Sequence, residues 1–208
     1  MIMIDPNIYA DVWLRLEMIR LPFVKKVLDL GSCSCTLKDT YPYKGTHITF
    51  TDLKNSDGYI FQRVMEENKD DDRYSFVETP CYDLSPFDDN SFEMVTFSHV
   101  IEHLTTEEIN KTMKEIKRVL IPNGLLIIST PNKPSRKLLG NYCAHPGHIE
   151  EFSTEDIIDI IDRHKFKEIV SEGVLKVRNQ NGIPSVESGL FKDTISSYVL
   201  FFICGNIK

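Results

Sequence analysis

A short apolar run followed by a glycine constrains this chain more than any other feature. Residues 27–30 form the run, with Asp29 inside it, and Gly31 follows directly. Such runs are typical of strands buried on both faces of a parallel sheet, and glycine permits the tight turn before a crossover helix. Residues 47–52 predict a second strand that ends in another acid, Asp52. Together these features describe a βαβ unit in which the second acid binds ribose hydroxyls.

Strands and helices alternate along the rest of the chain. The predicted helices are 7–20, 36–41, 59–68, 105–120 and one that Ser153 caps, and a capping-box pattern of Thr105 and Glu108 opens helix 105–120. The predicted strands are 27–30, 47–52, 74–77, 94–98, 125–129, 165–170 and 197–204. This order predicts an α/β fold: a three-layer, doubly wound Rossmann-like sheet of about seven strands, mostly parallel, with an antiparallel last strand. The two late strands, which have no clear helix between them, are predicted to form an antiparallel hairpin at one edge. Residues 130–151 and 173–189 lack periodicity and are predicted to be irregular.

Composition narrows the functional class. The 208 residues, 41% of them hydrophobic, fit a single domain over 1–208. A net charge of −7 argues against a nucleic-acid partner, since affinity for phosphate backbones comes mainly from Lys and Arg. There is no apolar run long enough to span a membrane and no secretory signal pattern. Five scattered cysteines favour reduced thiols and a cytoplasmic location.

Four stretches make the sequence similar to the class I S-adenosylmethionine-dependent methyltransferases. They are 27–32; Asp52; 83–95, read as an adenine-side motif and the next strand; and 102–104 with 116–124. A fifth stretch, 148–153, resembles the histidine-containing segment of the small-molecule and ubiquinone-pathway branch, which is like methyltransferase type 11. The family has a seven-stranded sheet whose last strand is antiparallel, in agreement with the strand count above. Its cofactor lies across the carboxyl ends of the strands.

The resemblance implies S-adenosylmethionine as cofactor and S-adenosylhomocysteine as product. Asp29 and Gly31 are then expected to flank the methionine moiety, and Ser32 to hydrogen-bond to the cofactor. Asp52 is expected to accept both ribose hydroxyls with its two oxygens. The full predicted cofactor-binding set is Asp29, Gly31, Ser32, Asp52, Leu53, Asp83, Leu84 and Ser98.

On the adenine side, the resemblance implies that Asp83 accepts from the adenine amino group and that the Leu84 amide donates to the ring. The first motif departs from the family, because Cys33 and Cys35 replace glycines. If the backbone needs positive φ there, each non-glycine residue costs about 1–2 kcal/mol.

Methyl transfer from a sulfonium depends largely on proximity and orientation, and needs a base only for a hydroxyl or a protonated amine. The imidazoles of His99, His145 and His148 are candidate bases, because histidine titrates near neutral pH. His148 is the first choice and His99 the second, since His148 follows the insertion 131–150. That insertion, the N-terminal helix within 1–22 and residues 173–196 are predicted to cover a small-molecule acceptor, which is methylated at oxygen or nitrogen.

Two alternatives to this function stay open. His99, Glu102 and His103 lie at helical spacing and with His148 have metal-ligand chemistry. They resemble the metal-dependent RNA 2′-O-methyltransferases, although that group has Glu in place of His99. The second alternative is a catalytically silent binding domain that keeps only the fold. The preferred prediction is an enzyme without a metal, as a monomer or homodimer.

Overall fold

Eight strands form one sheet in the part of the chain that the computed structural model describes, residues 21–54, 59–138, 147–180, 183–192, 194 and 197–208. The strands are β1 (Lys26–Leu30), β2 (His47–Asp52), β3 (Tyr74–Glu78), β4 (Phe92–Ser98), β5 (Leu120–Pro131), β6 (Phe166–Gln180), β7 (Ile183–Phe191) and β8 (Ser197–Asn206). The helices are α1 (Leu37–Thr40), α2 (Ile60–Asn68), α3 (Thr106–Val119), α4 (Lys133–Leu138) and α5 (Thr154–Arg163), with a 3₁₀ helix at Ile101–His103. The predicted helix 7–20 and His145 lie outside the described residues.

The strand order is β3-β2-β1-β4-β5-β8-β6-β7. β1 to β5 are mutually parallel, whereas β8 is antiparallel to β5 and to β6, and β7 is antiparallel to β6. The chain changes direction across the sheet between β1 and β4, and ligands of such sheets bind at that switch point, beyond the carboxyl ends of the strands. The predicted fold class is confirmed, with one strand more than the predicted seven.

The additional strand corrects the prediction that residues 173–189 are irregular. β6 continues to Gln180, and β7 pairs with it in antiparallel register, with Val177 opposite Val186 and Lys176 opposite Glu187. Antiparallel strands at the edge of a sheet can carry polar side chains on a solvated face, so their sequence lacks the continuous apolar run of a buried strand. The prediction for 130–151 was also wrong in part, because β5 runs to Pro131 and α4 follows.

Helices cover both faces of the sheet and create two apolar layers. One layer contains Ile109, Met113, Ile116, Ile157 and Ile161, from α3 and α5. The other contains residues of α1 and α2 against β1 and β2. Capping boxes start two of these helices as the sequence predicts: the Thr105 side chain accepts from the Glu108 amide, and Ser153 accepts from Asp156. These helices pack against the sheet beneath the loops at its carboxyl edge.

Candidate active site

Hydrogen bonds of Ser32 connect the turn after β1 to β2. The Ser32 amide donates to the Thr51 carbonyl (2.9 Å), its hydroxyl donates to the Asp29 carbonyl (2.8 Å), and the same hydroxyl oxygen accepts from the Thr51 amide (3.2 Å). Ser32 is buried. The amide and the hydroxyl proton of Ser32 are donated within the protein, so Ser32 positions the turn, and its contact with the cofactor stays a prediction.

Cys33 and Cys35 adopt the backbone conformation that glycine would provide. Their φ angles are 43° and 52°, and that of Gly31 is 63°. The Cys35 side chain is fully buried in the apolar layer beside α1, and burial raises the pKa of its thiol far above the usual range. The two cysteines thus preserve the shape of the glycine turn, at a cost in backbone strain of about 1–2 kcal/mol per residue.

Asp52, at the end of β2, closes the turn from the other side. Its Oδ2 accepts from the Cys33 amide (2.6 Å), and its Oδ1 accepts from the Leu53 amide (2.7 Å). Each carboxylate oxygen has a second lone pair, so both can accept a further hydrogen bond from a ligand. Leu53 follows directly and is 53% exposed, which gives this edge an apolar flank.

Asp29 lies buried beneath the same turn. Its carboxylate accepts a hydrogen bond from the hydroxyl of Thr96, on the neighbouring strand β4. Burial raises the pKa of Asp29 from 3.8 to about 6, although hydrogen bonds from Thr96 and Ser32 act in the opposite direction. The ionised carboxylate of Asp29 therefore destabilises the folded protein at neutral pH, and a cationic ligand group would stabilise this ionised form.

This shift predicts a pH-dependent difference in stability between the wild type and Asp29→Asn. Because the pKa is raised on folding, the folded state binds more protons than the unfolded state between the two pKa values. The wild type should therefore lose about 2 kcal/mol relative to the variant between about pH 4.5 and pH 7. Urea unfolding of both proteins across this range, without cofactor, measures the difference, and other titrating groups cancel. A difference that does not vary with pH would contradict the buried-carboxylate interpretation.

Gly31 brings the turn into contact with the segment after β4. A Cβ atom at Gly31 would lie 2.5 Å from Val100 Cγ2.

Ser98 is the last residue of β4, and His99 follows it with φ of 56°. A positive φ is uncommon for a non-glycine residue, and strained backbone of this kind is concentrated at functional sites.

Glu102 is the most buried charged side chain at this edge, with 1% of its surface exposed. Its Oε2 accepts from the hydroxyl of Thr130, near the end of β5 (3.0 Å). Its Oε1 lies 3.5 Å from His99 Nδ1, an ion-pair distance. Burial acts to raise the pKa of Glu102, but the hydrogen bond and charge of His99 outweigh it and lower the pKa. Glu102 is therefore an anion that orients His99.

His103 and His148 also lie near this carboxylate, with one ligand atom of each of the three residues within 4.8 Å of the others. Their rings meet edge to face, with centroids 4.8 Å apart. The sequence predicted His99, Glu102 and His103 on one helical face, but His99 precedes a 3₁₀ helix of only three residues. The prediction of a shared helical face was therefore wrong, although Glu102, His103 and His148 do converge.

The adenine-side prediction needs a correction at Leu84. Its amide donates to Glu115 Oε2 (3.2 Å), and its side chain is fully buried against α3. This amide is used within the protein, so it does not have the predicted role toward adenine. Asp83 is exposed, and hydrogen bonds from Ser85 lower the pKa of its carboxyl.

Sequence reasoning missed two contributors to the carboxyl edge. Thr79 follows β3, and its amide donates to the Asp52 carbonyl (3.0 Å). Thr130, which the sequence placed in an irregular stretch, belongs to β5 and contacts Glu102. The only sequence signal for either is its place directly after a strand or at its end, where ligand-binding residues of such sheets gather.

Comparison with known proteins identifies the family. The family profile described as "Methyltransferase domain" matches residues 20–128, more than half of the chain. The chain belongs to this methyltransferase family. No curated protein sequence matches it significantly.

Solved structures agree with this methyltransferase assignment at the level of the fold. An Archaeoglobus fulgidus SAM-dependent methyltransferase superposes with a TM-score of 0.72 at 16% identity, covering 96% of this chain and 93% of the other. Burkholderia thailandensis 1,6-didemethyltoxoflavin-N1-methyltransferase, with 1,6-didemethyltoxoflavin and S-adenosylhomocysteine bound, gives 0.64 at 14% identity (97% and 84%). A chain of the Haloferax volcanii complex of the Trm112 methyltransferase activator with a methyltransferase gives 0.65 at 17% identity (96% and 90%).

The predicted family, the class I S-adenosylmethionine-dependent methyltransferases, is thus confirmed, and so are the enzyme class and the cofactor. The ubiquinone-pathway branch, the cytoplasmic location and the oligomeric state stay predictions. Among the described residues, no helix is long and apolar enough to cross a membrane.

Proposed function

We propose that this methyltransferase transfers the methyl group of S-adenosylmethionine to an oxygen or nitrogen atom of a small-molecule acceptor. One observation carries the proposal. The Gly31 turn and the Asp52 carboxylate meet at the carboxyl edge of the sheet, and the His99–Glu102 pair follows the neighbouring strand β4. This arrangement provides a nucleotide-binding turn beside a candidate base, which is what transfer by proximity and orientation requires.

The cofactor would lie across β1, β2 and β4. Asp52 binds the ribose hydroxyls with the lone pairs that its backbone contacts leave, and Leu53 packs against the nucleoside. Asp29 and Gly31 face the methionine moiety, whose ammonium group would stabilise the ionised form of Asp29. Asp83 and Ser98 complete the set, Asp83 on the adenine side and Ser98 near the transferring methyl.

His99 is the better-placed base of the two histidines. It follows β4 directly, and the buried carboxylate of Glu102 lies beside its Nδ1. Its side chain is 31% exposed as a whole, although its Nε2 atom is buried. A carboxylate at one ring nitrogen orients an imidazole so that the other nitrogen can take a proton from the acceptor. The side chain of His148 is only 11% exposed, and its Nδ1 lies 3.1 Å from Glu151 Oε1. We therefore assign the role of general base to His99 and not to His148, which belongs to the cluster around Glu102.

A small molecule is the favoured acceptor class. The net charge of −7 disfavours an RNA backbone as substrate. The silent-domain alternative is disfavoured because Cys33 and Cys35 retain the positive φ angles of a functional glycine turn. Incubation with methyl-labelled S-adenosylmethionine and a panel of phenols, catechols, heterocyclic amines and a short RNA would rank these acceptor classes. Preferential labelling of the RNA would overturn the assignment.

We expect Asp52→Asn to weaken S-adenosylmethionine binding by about 10- to 100-fold, because hydrogen bonds to a charged group contribute about 1.5–3 kcal/mol. Isothermal titration of S-adenosylmethionine and S-adenosylhomocysteine into both proteins measures the change. Asn keeps one carbonyl oxygen for a backbone contact, so thermal unfolding should confirm that the variant is folded.

Asp39→Asn is the matched control for this experiment. Asp39 lies on α1 just beyond the same turn, and its side chain is 68% exposed and paired with Lys38. Removing its charge should leave cofactor affinity unchanged. Equal affinities of the wild type and Asp52→Asn would remove Asp52 from the ribose site, and a wild type that binds no cofactor would favour the silent binding domain.

A further inference from the structure

Three metal-ligating side chains converge beside the candidate base. One ligand atom from each of Glu102, His103 and His148 lies within 4.8 Å of the others. Glu102 and His103 come from the 3₁₀ helix after β4, and His148 comes from the segment that precedes α5. Two imidazoles and one carboxylate are the donor set that zinc and its first-row neighbours take in proteins.

The hydrogen bonds of the two imidazoles set their tautomers. His103 Nδ1 lies 3.0 Å from the carbonyl oxygen of Gly147, and His148 Nδ1 lies 3.1 Å from Glu151 Oε1. A carbonyl and a carboxylate only accept, so in each pair Nδ1 carries the proton and donates. The Nε2 atom of a neutral imidazole then carries the lone pair that can bind a metal. Metal-binding histidines in proteins are usually oriented by this type of contact.

Glu102 supplies a buried charge that these contacts do not neutralise. Thr130 donates to its Oε2. The neighbour of its Oε1 is His99, whose Nδ1 lies 3.5 Å away, and the neutral imidazole that acts as a base offers no counter-charge. A carboxylate with 1% exposure is costly unless a cation compensates it.

The backbone around the cluster already has the required arrangement. The amides of Ile149 and Glu150 donate to the carbonyl of Glu102, at 2.8 and 3.2 Å, which holds the His148 segment against the 3₁₀ helix. Tetrahedral zinc with bonds of about 2.0–2.1 Å places its ligand atoms about 3.4 Å apart. The separations of the ligand atoms in the structure, at most 4.8 Å, exceed this value by at most about 1.4 Å.

We propose that Glu102, His103 and His148 bind one divalent transition-metal ion, with zinc as the reference ion, and that a water molecule occupies the fourth position. The metal joins the segment 147–151 to the carboxyl ends of β4 and β5, next to His99. It gives the buried carboxylate of Glu102 a counter-ion and orders the segment through which the chain enters α5. His99 is not a ligand and keeps its role as base.

The test uses full-length protein without a histidine tag, stripped of metal by a chelator, reloaded with zinc and passed through gel filtration. We expect about one zinc per chain by elemental analysis, since the three ligands form one site. His103→Ala and His148→Ala should each lose the ion. Glu151→Gln, which changes only the partner of His148, should weaken zinc binding by about 10- to 100-fold. His164→Gln is the matched control, because His164 ends α5 and is not in the cluster.

A second measurement separates a metal site from a purely structural cluster. Zinc should slow hydrogen exchange at the amides of Ile149 and Glu150 in the wild type and in His164→Gln, but not in His148→Ala. The proposal is overturned if the stripped wild type takes up no more zinc than His148→Ala, or if zinc leaves these amides unchanged. Titration of S-adenosylmethionine into the metal-free protein tests the proposed function separately. Cofactor binding without zinc uptake would contradict the proposed metal site and leave the proposed function unaffected.

Discussion

The His99→Gln variant should transfer methyl groups about 100- to 10,000-fold more slowly than the wild type, the usual contribution of a general base. Glutamine is similar in size and can form a hydrogen bond, but its amide cannot take a proton from the acceptor at neutral pH. Turnover should be measured with the best acceptor of the panel described above. Affinity for S-adenosylmethionine should not change, because His99 is assigned to the acceptor side.

The pH profile distinguishes a base from a positioning residue. Wild-type turnover should fall on the acid side as the imidazole becomes protonated, and this limb should be absent in His99→Gln. His47→Gln is the control, since His47 begins β2 at the opposite edge of the sheet and bonds to Ser75 and the Asp72 carbonyl. If the variant keeps both the rate and the acid limb, His99 is not the base, and an acceptor that needs no deprotonation becomes the better explanation.

Gly31→Ala should abolish measurable cofactor binding and lower the free energy of unfolding by about 2–5 kcal/mol. Two effects add: a side chain at φ of 63° costs about 1–2 kcal/mol, and a clash in a packed region costs about 1–3 kcal/mol. The clash is direct, because the added methyl would lie 2.5 Å from Val100 Cγ2 and 3.1 Å from Cγ1. Relief of the clash would move either the turn or the segment that carries His99.

Urea unfolding and cofactor titration of the same samples measure both parts of this prediction. Gly45→Ala is the control, since a methyl group there would meet only the Phe23 ring at 3.6 Å, an ordinary contact. The double variant Gly31→Ala/Val100→Ala should recover part of the stability, because it removes the atoms that clash. A Gly31→Ala protein as stable as the wild type and able to bind cofactor would show that the turn tolerates a side chain.

Local patterns were sufficient for the β1 turn and for most of the helices and strands. The buried run before Gly31 and the acid that ends β2 predicted two strands and the place where they meet. The Thr105 and Glu108 pair predicted the start of α3 because a capping box involves only near neighbours in sequence. These features depend on interactions within a few residues, so one sequence contains enough information to predict them.

Residues whose partners are distant in sequence could not be assigned in the same way. Leu84 matched the adenine-side motif, but its amide bonds to Glu115, a partner 31 positions away. Residues 173–189 are polar, so their sequence did not predict the hairpin of β6 and β7 at the edge of the sheet. Edge strands of this kind are specified by their pairing partner rather than by an apolar run.

The sequence by itself determined the family and the order of the strands and helices apart from β7 and α4. It also determined the positions of Asp29, Gly31 and Asp52, because spacing along one strand–turn–strand unit specifies them. Only the tertiary structure decided that Glu102 is buried, that it lies near His99, His103 and His148, and that Ser32 bonds to β2. The physical reason is that burial and charge proximity arise when distant loops gather at the carboxyl edge of the sheet. No local pattern encodes those distances.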